Sequence, residues 1–291
     1  MMSKLSIGTA QFGLDYGVAN TTGKTKIGDV AKILSFAKSN DINSLDTAIQ
    51  YGDSETILGN YNVSDWNVIT KVAPVPEDCG DVYEYFYSEI KNSLSRLKIE
   101  SFDGILVHDI DQLKNKNSIG SEIFESLKRL KNLGLTKKIG LSIYNPDDLN
   151  EISHLSHYDI VQSPFNLIDR RLLKSGWMAK LKETGTEIHV RSIFLQGLLL
   201  MQQDNRPRYF DQWSEVLNHY DNFLKDSNAN NLEVCLNYPF QFEEIDKIII
   251  GVDNFDQFVQ IINSIQLTKE TIPEEFVSED LGLINPRQWK C

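Results

Sequence analysis

Residues 46–59 read Asp-Thr-Ala-Ile-Gln-Tyr-Gly-Asp-Ser-Glu-Thr-Ile-Leu-Gly, and this stretch decides how the rest of the chain is interpreted. Asp46 ends an apolar run typical of a buried strand, and Tyr51 precedes a glycine turn and a short helix. The next strand-like run ends at Lys71, and the one after that ends at His108. The carboxyl ends of consecutive parallel strands meet at one mouth, so the four side chains are expected to converge there.

Short apolar runs alternate with helical patterns along the whole chain. Val30, Ile33, Leu34 and Ala37, for example, fall at the i, i+3, i+4 and i+7 positions of one helix face. The runs predicted as strands are Leu5–Ala10, Ile42–Thr47, Trp66–Lys71, Phe102–His108, Lys138–Ser142, Tyr158–Gln162, Glu187–Ile193 and Lys247–Val252. Further helices are predicted over Tyr83–Lys98, 123–133, from Pro146 onward, Arg171–Glu183, Tyr209–Asp226, Leu232–Tyr238 and Phe255–Ile265.

Strand followed by helix, repeated along the chain, predicts an α/β fold: a single (β/α)8 TIM barrel. An open doubly wound sheet is the competing architecture. It is disfavoured because no Gly-x-Gly-x-x-Gly motif follows the first strand. No proline-rich or low-complexity linker divides the chain, so residues 1–291 are predicted to form one domain.

The chain has 291 residues and a formal net charge of −12. This acidic balance argues against a nucleic-acid or anionic-membrane partner. No apolar run approaches the ~20 residues that span a bilayer, and the amino terminus leads directly into a strand. The three cysteines, Cys79, Cys235 and Cys291, lack a metal-ligand spacing, so we expect free thiols in a reducing cytoplasm and no metal site.

The four strand-end residues suit proton transfer to a carbonyl oxygen. A phenol has an ordinary pKa of about 10, and a nearby ammonium is expected to lower it, so Lys71 is predicted to make Tyr51 a better acid. Asp46 is expected to pair with Lys71 and to raise its pKa, while His108 orients the substrate oxygen or shares the proton.

Each of the four residues also has a purely structural explanation. Asp46 can cap the turn that follows its strand. Tyr51 can be a packed aromatic residue, Lys71 a solvated charge, and His108 a hydrogen-bonded structural residue. The functional interpretation depends on their occurring together at successive strand ends.

The motif from Asp46 to Gly59 resembles the aldo-keto reductase family, and the segments Leu14–Gly17 and Arg191–Gly197 resemble a bacterial branch of it associated with sugar or polysaccharide biosynthesis. The resemblance extends over nearly the whole chain, through Gly8–Gly13, Thr70-Lys71, His108, Ile139–Ser142, Gln162–Asn166, Gln196–Leu199 and Ile250–Asp253. It implies a (β/α)8 barrel that transfers hydride between NADP(H) or NAD(H) and a carbonyl or alcohol. It also implies a catalytic tetrad of Asp46, Tyr51, Lys71 and His108, in which Tyr51 is the acid.

The resemblance further implies contacts with the dinucleotide. Gly8 and Thr9 would lie beneath the nicotinamide ribose, and Ser142 and Gln162 would hold the carboxamide. The segment after the seventh strand would enclose the pyrophosphate, and the eighth strand and next helix would reach the adenine end. The residues implied there are Arg191, Ser192, Leu195, Gln196, Leu198, Gly251, Asp253 and Gln257.

Three departures from the family pattern affect these expectations. Ile143 stands where many members have Asn, which removes one amide contact. Arg191 stands where an aromatic ring commonly stacks on the nicotinamide; it can stack, attract an anion, or form an internal salt bridge. Asp253 follows the eighth strand, where NADP-preferring members usually have a cation, although Lys269 or Arg287 could approach. The cofactor is therefore left open between NADP(H) and NAD(H).

The resemblance implies a small-molecule carbonyl substrate, with sugar-derived carbonyls among the candidates, bound by a monomer or weak dimer. The loops over the barrel mouth should form the pocket. Its candidate residues are Phe12, Asp15, Tyr16, 110–113, Tyr144 and Phe165.

Three other functions were weighed against carbonyl reduction. A cofactor-binding regulatory or scaffold protein is disfavoured because all four tetrad residues are present. A Schiff-base lyase using Lys71 requires a lysine without an ion partner. A metal-dependent hydrolase would depend on His154 and His157, which sit near a helix end and not at a strand end.

Overall fold

The computed structural model describes residues 1–114, 118–153, 155, 157–266 and 272–290. Within them, eight parallel strands form a closed barrel in chain order, β1 to β8. The last strand closes the barrel by pairing with the first, with Leu5 opposite Ile248 and Gly8 opposite Gly251. The strands are β1 Leu5–Gly8, β2 Ser44–Asp46, β3 Asn67–Val72, β4 Phe102–Val107, β5 Thr136–Ser142, β6 Ile160–Pro164, β7 Glu187–Arg191 and β8 Ile245–Gly251.

Helices surround this barrel and bury their apolar faces against it. The predicted stripe of Val30, Ile33, Leu34 and Ala37 is buried, as the helical spacing requires. The α-helices are α1 Ala10–Gly13, α2 Ile27–Ser39, α3 Ser54–Leu58, α4 Val82–Leu97, α5 Asp111–Lys114, α6 Ser118–Asn132, α7 Asp148–Glu151, α8 Arg171–Lys174, α9 Trp177–Glu183, α10 Ser214–Asp226, α11 Asn231–Asn237, α12 Phe255–Asn263 and α13 Leu281–Ile284. The predicted (β/α)8 barrel is confirmed.

Three predicted helices differ from the observed ones. The segment Arg171–Glu183 divides into α8 and α9, because Gly176 adopts a left-handed conformation with φ 75°. The helix predicted over Tyr209–Asp226 is a 3₁₀ helix up to Trp213 and an α-helix only afterwards. The helix predicted from Pro146 begins later, at Asp148.

A charged network closes the end of the barrel where the strands begin. Lys138 lies 2.9 Å from one carboxylate oxygen of Glu187 and 3.2 Å from Asp103. His189, which is buried, lies 3.3 Å from the other oxygen of Glu187. Hydrogen bonds from His189 and Lys138 lower the pKa of Glu187 to about 2.

This network predicts how stability responds to acid. The ordinary pKa of a glutamate is 4.5, so Glu187 contributes stability above that pH, and the contribution disappears as the pH falls towards about 2. The difference in unfolding free energy between the wild type and Glu187→Gln should therefore shrink over this range in urea titrations. Exposed Glu100→Gln is the control and should show little difference at any pH. A constant wild-type advantage over Glu187→Gln would contradict the assignment.

Candidate active site

The strand register places three of the four predicted catalytic residues at the opposite end of the barrel. Asp46 is the last residue of β2 and lies opposite Ile69 of β3. Lys71 follows two residues later in β3, and His108 comes directly after β4, where its amide donates to the carbonyl of Val72. The three side chains therefore start from neighbouring strands, as the sequence predicted.

Lys71 is the centre of this arrangement and is only 1% exposed. Its ammonium lies 2.6 Å from Asp46 Oδ2, donates to the carbonyl of Thr47 at 3.0 Å, and lies 3.5 Å from Tyr51 Oη. An ammonium has three N–H donors, so each of them has a partner.

Tyr51 lies in the loop after β2, and its ring packs edge-on against His108 with 5.8 Å between centroids. The residues that follow it hold the loop in place. Ser54 Oγ donates to the carbonyl of Thr9 at 2.9 Å and lies 2.8 Å from Thr9 Oγ1. The tyrosine is therefore positioned by a neighbour that is itself fixed to the first strand's loop.

Glu55 fixes the same segment to α4 from its other side. Its side chain is 2% exposed and accepts four hydrogen bonds. Thr70 and Ser93 donate to one oxygen at 3.0 and 2.6 Å. Arg96 donates to the other through Nε and Nη2 at 2.9 and 2.7 Å. A bidentate arginine fixes the carboxylate in both position and orientation.

The pKa of Tyr51 differs from the sequence-based expectation. Burial raises it well above the ordinary value, the charge of Asp46 raises it further, and Arg191 opposes the rise. The pKa of Tyr51 therefore stays raised although the Lys71 ammonium, paired with Asp46 at 2.6 Å, lies beside it. Tyr51 is therefore a neutral phenol that holds its proton at neutral pH.

Burial also controls the pKa values of the other two titratable partners. It lowers the pKa of Lys71; Asp46 raises this pKa, as predicted, but does not reverse the larger effect of burial. Burial, then Lys71 and Arg191, lower the pKa of His108 to about 3. The imidazole is consequently neutral at physiological pH and retains one N–H donor. Its Nδ1 is buried without a described partner.

A cavity of about 500 Å³ opens beside the four residues and extends towards β8 and α12. Most of the residues implied by the family resemblance line it: Gly8, Asp46, Tyr51, Lys71, His108, Ser142, Gln162, Arg191, Ser192, Gln196, Gly251, Asp253 and Gln257. Thr9, Leu195 and Leu198 are fully buried and are not among the described residues that line it. Direct contact between these three and a ligand is therefore not supported by the geometry.

The side-chain amide of Gln162 has a hydrogen-bond partner for its nitrogen but none for its oxygen. Its Nε2 donates to Asp46 Oδ1 at 2.7 Å, which adds β6 to the hydrogen-bond network around Lys71. Its Oε1 is buried and has no described hydrogen-bond partner. A buried acceptor without a donor is costly, so this oxygen is suited to a donor supplied by a ligand.

The loop after β7 covers part of the cavity in a strained conformation. Ser192, Leu195 and Gln196 have φ values of 59°, 47° and 52°, a region that costs a non-glycine residue about 1–3 kcal/mol. The loop after β1 meets it across the mouth, where Gln196 Nε2 donates to Tyr16 Oη at 2.9 Å. The two loops together roof the cavity.

The predicted substrate-pocket residues divide into three groups, one of which, Asp15, Asp111 and Gln112, is exposed or partly exposed and is not among the described residues that line the cavity. Tyr16 and Tyr144 line the cavity. Phe12 and Phe165 are buried in the apolar core and reach neither the cavity nor the solvent. Ile110 and Leu113 belong to the same core. Their apolar character explains this, since large rings next to strand ends pack equally well inward.

Several lining residues were missed from the sequence. They are Gln11, Asn20, Met201, Asn230, Asn231, Leu232, Gln260 and Ile261. The Asn230-Asn231 pair before α11 was the available signal, because two amides at a helix start suit either a cap or a polar ligand. Asn230 does cap α11 by accepting from Leu232 N.

The described residues also bear on metal binding and on membrane crossing. No group of three or more His, Cys, Asp or Glu suitable for a metal occurs in the part of the chain that the structure describes; His154 lies outside it. Among the described residues, no helix combines the length and apolarity needed to cross a membrane.

A closed eightfold barrel with an acid–base cluster at the carboxyl ends of its strands, beside a long cleft, defines a TIM-barrel enzyme. Residues 4–275 match the model of the aldo/keto reductase family, and the chain belongs to this family. It is therefore an NAD(P)-dependent oxidoreductase acting on small carbonyl or alcohol compounds.

Individual relatives agree with this membership. The chain is 25% identical over 297 aligned residues to the uncharacterized oxidoreductase YqkF of Bacillus subtilis, covering 93% of this chain and 94% of that one. It is 22% identical to D-arabinose 1-dehydrogenase of Saccharomyces cerevisiae, covering 81% and 76%. The aldo-keto reductase AKR11C1 of Bacillus halodurans shares the fold with a TM-score of 0.71 at 20% identity, covering 95% and 94%.

Proposed function

We propose that this protein reduces an aldehyde or ketone to an alcohol with Tyr51 as the general acid. The observation that carries the proposal is the Lys71 ammonium, which lies 3.5 Å from Tyr51 Oη and 2.6 Å from Asp46 inside the cavity. A phenol with a partnered ammonium beside it can release its proton and be stabilised as the phenolate that remains.

Each of the four residues has a distinct task in this proposal. Tyr51 donates its proton to the carbonyl oxygen as that oxygen gains negative charge. Lys71 stabilises the resulting phenolate, and Asp46 holds the ammonium in place and balances its charge. His108 is neutral, so its remaining N–H can donate to the same carbonyl oxygen.

The cavity fits a nicotinamide dinucleotide, which when bound supplies the hydride. The unpartnered Oε1 of Gln162 is the observation that tests the fit, because a carboxamide offers an N–H donor to it. Ser142 lies opposite Gln162 in the β5–β6 register and lines the same wall. Gly8 lines the same cavity, and the strained Ser192–Gln196 loop would cover the pyrophosphate. Thr9, Leu195 and Leu198 support these segments from the core.

We further propose that NAD(H) is preferred over NADP(H). Asp253 and Gln257 line the α12 end of the cavity and are joined by a 2.9 Å hydrogen bond from Asp253 N to Gln257 Oε1. The only cations among the described lining residues are Lys71 and Arg191. Arg287 pairs with Asp109 instead, and Lys269 lies outside the described residues. A carboxylate accepts from a ribose hydroxyl but repels a 2′-phosphate.

Fluorescence titration with NADH and, separately, NADPH tests both statements. The wild type should bind NADH more tightly, and Asp253→Arg should shift the affinity ratio towards NADPH by about tenfold or more, because it replaces repulsion with a charge-assisted hydrogen bond. Asp65→Arg, on an exposed site before β3, is the matched control and should leave the ratio unchanged. No saturable binding of either dinucleotide would overturn the cofactor assignment, and an unchanged ratio in Asp253→Arg would remove Asp253 from it.

A sugar-derived carbonyl remains the proposed substrate. The relative named D-arabinose 1-dehydrogenase supports a sugar, and the cavity lining combines aromatic residues with amides that suit hydroxyl groups. The Schiff-base alternative is unsupported, because all three N–H donors of Lys71 are engaged.

We also propose that the whole chain acts as one domain. The segment beyond α12 returns to the barrel, where Arg170 donates to Glu274 at 2.7 Å and Ser278 N donates to the carbonyl of Ile168 at 3.0 Å. Phe276 is 1% exposed and packs against Tyr220.

A further inference from the structure

Arg191 is a partly buried cation without a carboxylate partner among the described residues. It ends β7 and lines the cavity. Its guanidinium has five N–H donors, of which one bonds the carbonyl of Ile143 at 3.0 Å and one bonds Ser192 Oγ at 3.3 Å. Three donors therefore have no described protein acceptor, although arginines elsewhere in the fold, such as Arg96 and Arg206, are paired with carboxylates.

A second guanidinium contacts the same aromatic ring as the first. Arg191 Cζ lies 4.2 Å from the ring centroid of Tyr144, and Arg287 Cζ lies 4.1 Å from the same centroid. Asp109, directly after His108, pairs with Arg287 at 2.9 Å. The cluster of Arg191, Tyr144 and Arg287, here called the arginine–tyrosine stack, thus holds two cations and only one described carboxylate.

The effect of the stack is concentrated at the reacting end of the cavity. Arg191 contributes to the lowered pKa of His108 and opposes the rise in the pKa of Tyr51, which means that its charge acts on both. Both guanidinium groups also lower the pKa of Tyr144 against the opposing effect of burial. The cleft is therefore locally cationic in a chain whose net charge is −12.

We propose that the substrate carries a carboxylate or phosphate group that binds Arg191 at the arginine–tyrosine stack while its carbonyl meets Tyr51 and His108. This inference rests on the proposed function and narrows its substrate class to anionic carbonyl compounds. The ring of Tyr144 contacts the guanidinium of Arg191, and Arg287 adds a second positive charge beside the same ring. The anion would supply acceptors for the free N–H donors of Arg191.

The dinucleotide pyrophosphate is the competing occupant for Arg191. The position of the stack favours the substrate. Tyr144 follows β5, and Asp109 follows β4 directly after His108. The pyrophosphate is expected further along the cavity, beneath the loop that carries Gln196. If Arg191 binds the substrate anion, an Arg191 variant should change substrate selectivity. If Arg191 binds the pyrophosphate, the variant should change dinucleotide affinity.

The test compares pairs of aldehydes in which one member carries an anionic group and the other is neutral. The pairs are 4-formylbenzoate against its methyl ester, and glyceraldehyde 3-phosphate against glyceraldehyde, so that the two pairs distinguish carboxylate from phosphate. The wild type should show a higher kcat/KM for the anion of at least one pair. Arg191→Met should reduce that anion-to-neutral ratio by about ten- to a hundredfold, the range of a hydrogen bond to a charged group. Using a ratio cancels any general loss of folding or cofactor binding.

Three further variants complete the experiment. Arg191→Lys should recover part of the ratio, because it keeps the charge but loses the planar fork. Arg287→Met should reduce the ratio less than Arg191→Met does. Arg208→Met removes the same charge at an exposed site outside the cavity and should keep the wild-type ratio.

Direct binding separates this inference from the reductase proposal. The alcohol 4-(hydroxymethyl)benzoate and its methyl ester are titrated into the protein alone, with tryptophan fluorescence as the readout. Arg191-dependent preference for the acid would support the anion site even if no aldehyde were reduced, in which case only the reductase proposal would fall. Reduction of neutral and anionic aldehydes with equal kcat/KM in the wild type would overturn the inference. So would an Arg191→Met variant that loses NADH affinity but keeps the substrate ratio.

Discussion

Tyr51→Phe should lose turnover by about a hundred- to ten-thousandfold while still binding the dinucleotide. The change removes one oxygen atom, and with it the proton that we propose is donated to the carbonyl oxygen. The ring would remain packed against His108, 5.8 Å between centroids, so the pocket should keep its shape. Steady-state reduction of an accepted aldehyde gives the rate, and fluorescence titration gives the dinucleotide affinity.

Tyr61→Phe is the matched control for this prediction. Its hydroxyl donates to the carbonyl of Ile27 at 2.9 Å, and it does not line the cavity. Loss of this hydroxyl should leave kcat close to wild type. If Tyr51→Phe kept a near-normal rate, Tyr51 would not be the acid, and the Lys71–Asp46 pair would need another role.

Glu55→Ala should destabilise the fold by about 3–5 kcal/mol, because it leaves two fully buried hydroxyl groups and the partly exposed Arg96 without their acceptor. The carboxylate is 2% exposed and accepts hydrogen bonds from Thr70, Ser93 and Arg96. Its loss would leave two buried hydroxyl groups and a guanidinium without their acceptor. Urea unfolding monitored by circular dichroism measures the change in free energy.

The control for this second prediction is Glu100→Ala, an exposed glutamate just after α4. Its effect should stay within about 0.5 kcal/mol, as expected of a surface substitution. A loss of less than about 1 kcal/mol in Glu55→Ala would show that the four hydrogen bonds contribute little net stability, and that α3 is held by its apolar contacts alone.

The barrel and the strand-end cluster were predictable from the sequence because both depend on local pattern. Apolar runs separated by helical periodicity define eight strands, and polar residues at the ends of buried strands have few places to go except the mouth. The pairing of Asp46 with Lys71 follows from the same logic, since an unpaired charge at either position would be costly in a buried site.

The pKa of Tyr51 could not be predicted in this way. The sequence shows that an ammonium is nearby, but the balance between burial, Asp46 and Arg191 depends on distances that only the fold sets. Gln162 is a similar case. Its bond to Asp46 joins residues 116 positions apart in the chain, and nothing in either local sequence indicates it.

The arginine–tyrosine stack was beyond sequence analysis for a related reason. Arg287 lies 178 positions from Asp109, and the two meet because the chain after α12 returns across the mouth of the barrel.

The ends of helices were also difficult to predict from the sequence, as Gly176 illustrates. A glycine within a helical pattern can be tolerated or can break the helix, and here it adopts a left-handed conformation and divides α8 from α9.

The segment from Asp46 to Gly59 serves two purposes that evolution could separate. Asp46 and Tyr51 belong to the proposed chemistry, whereas Ser54 and Glu55 hold α3 against its neighbours. Gly59 belongs with the second group, because a Cβ there would overlap the carbonyl oxygen of Arg96. A descendant that had drifted into a pseudoenzyme would still need the anchoring half in order to fold. Ser54, Glu55 and Gly59 therefore indicate shared ancestry of the fold. Asp46 and Tyr51, together with Lys71 and His108, are the residues whose presence indicates catalysis.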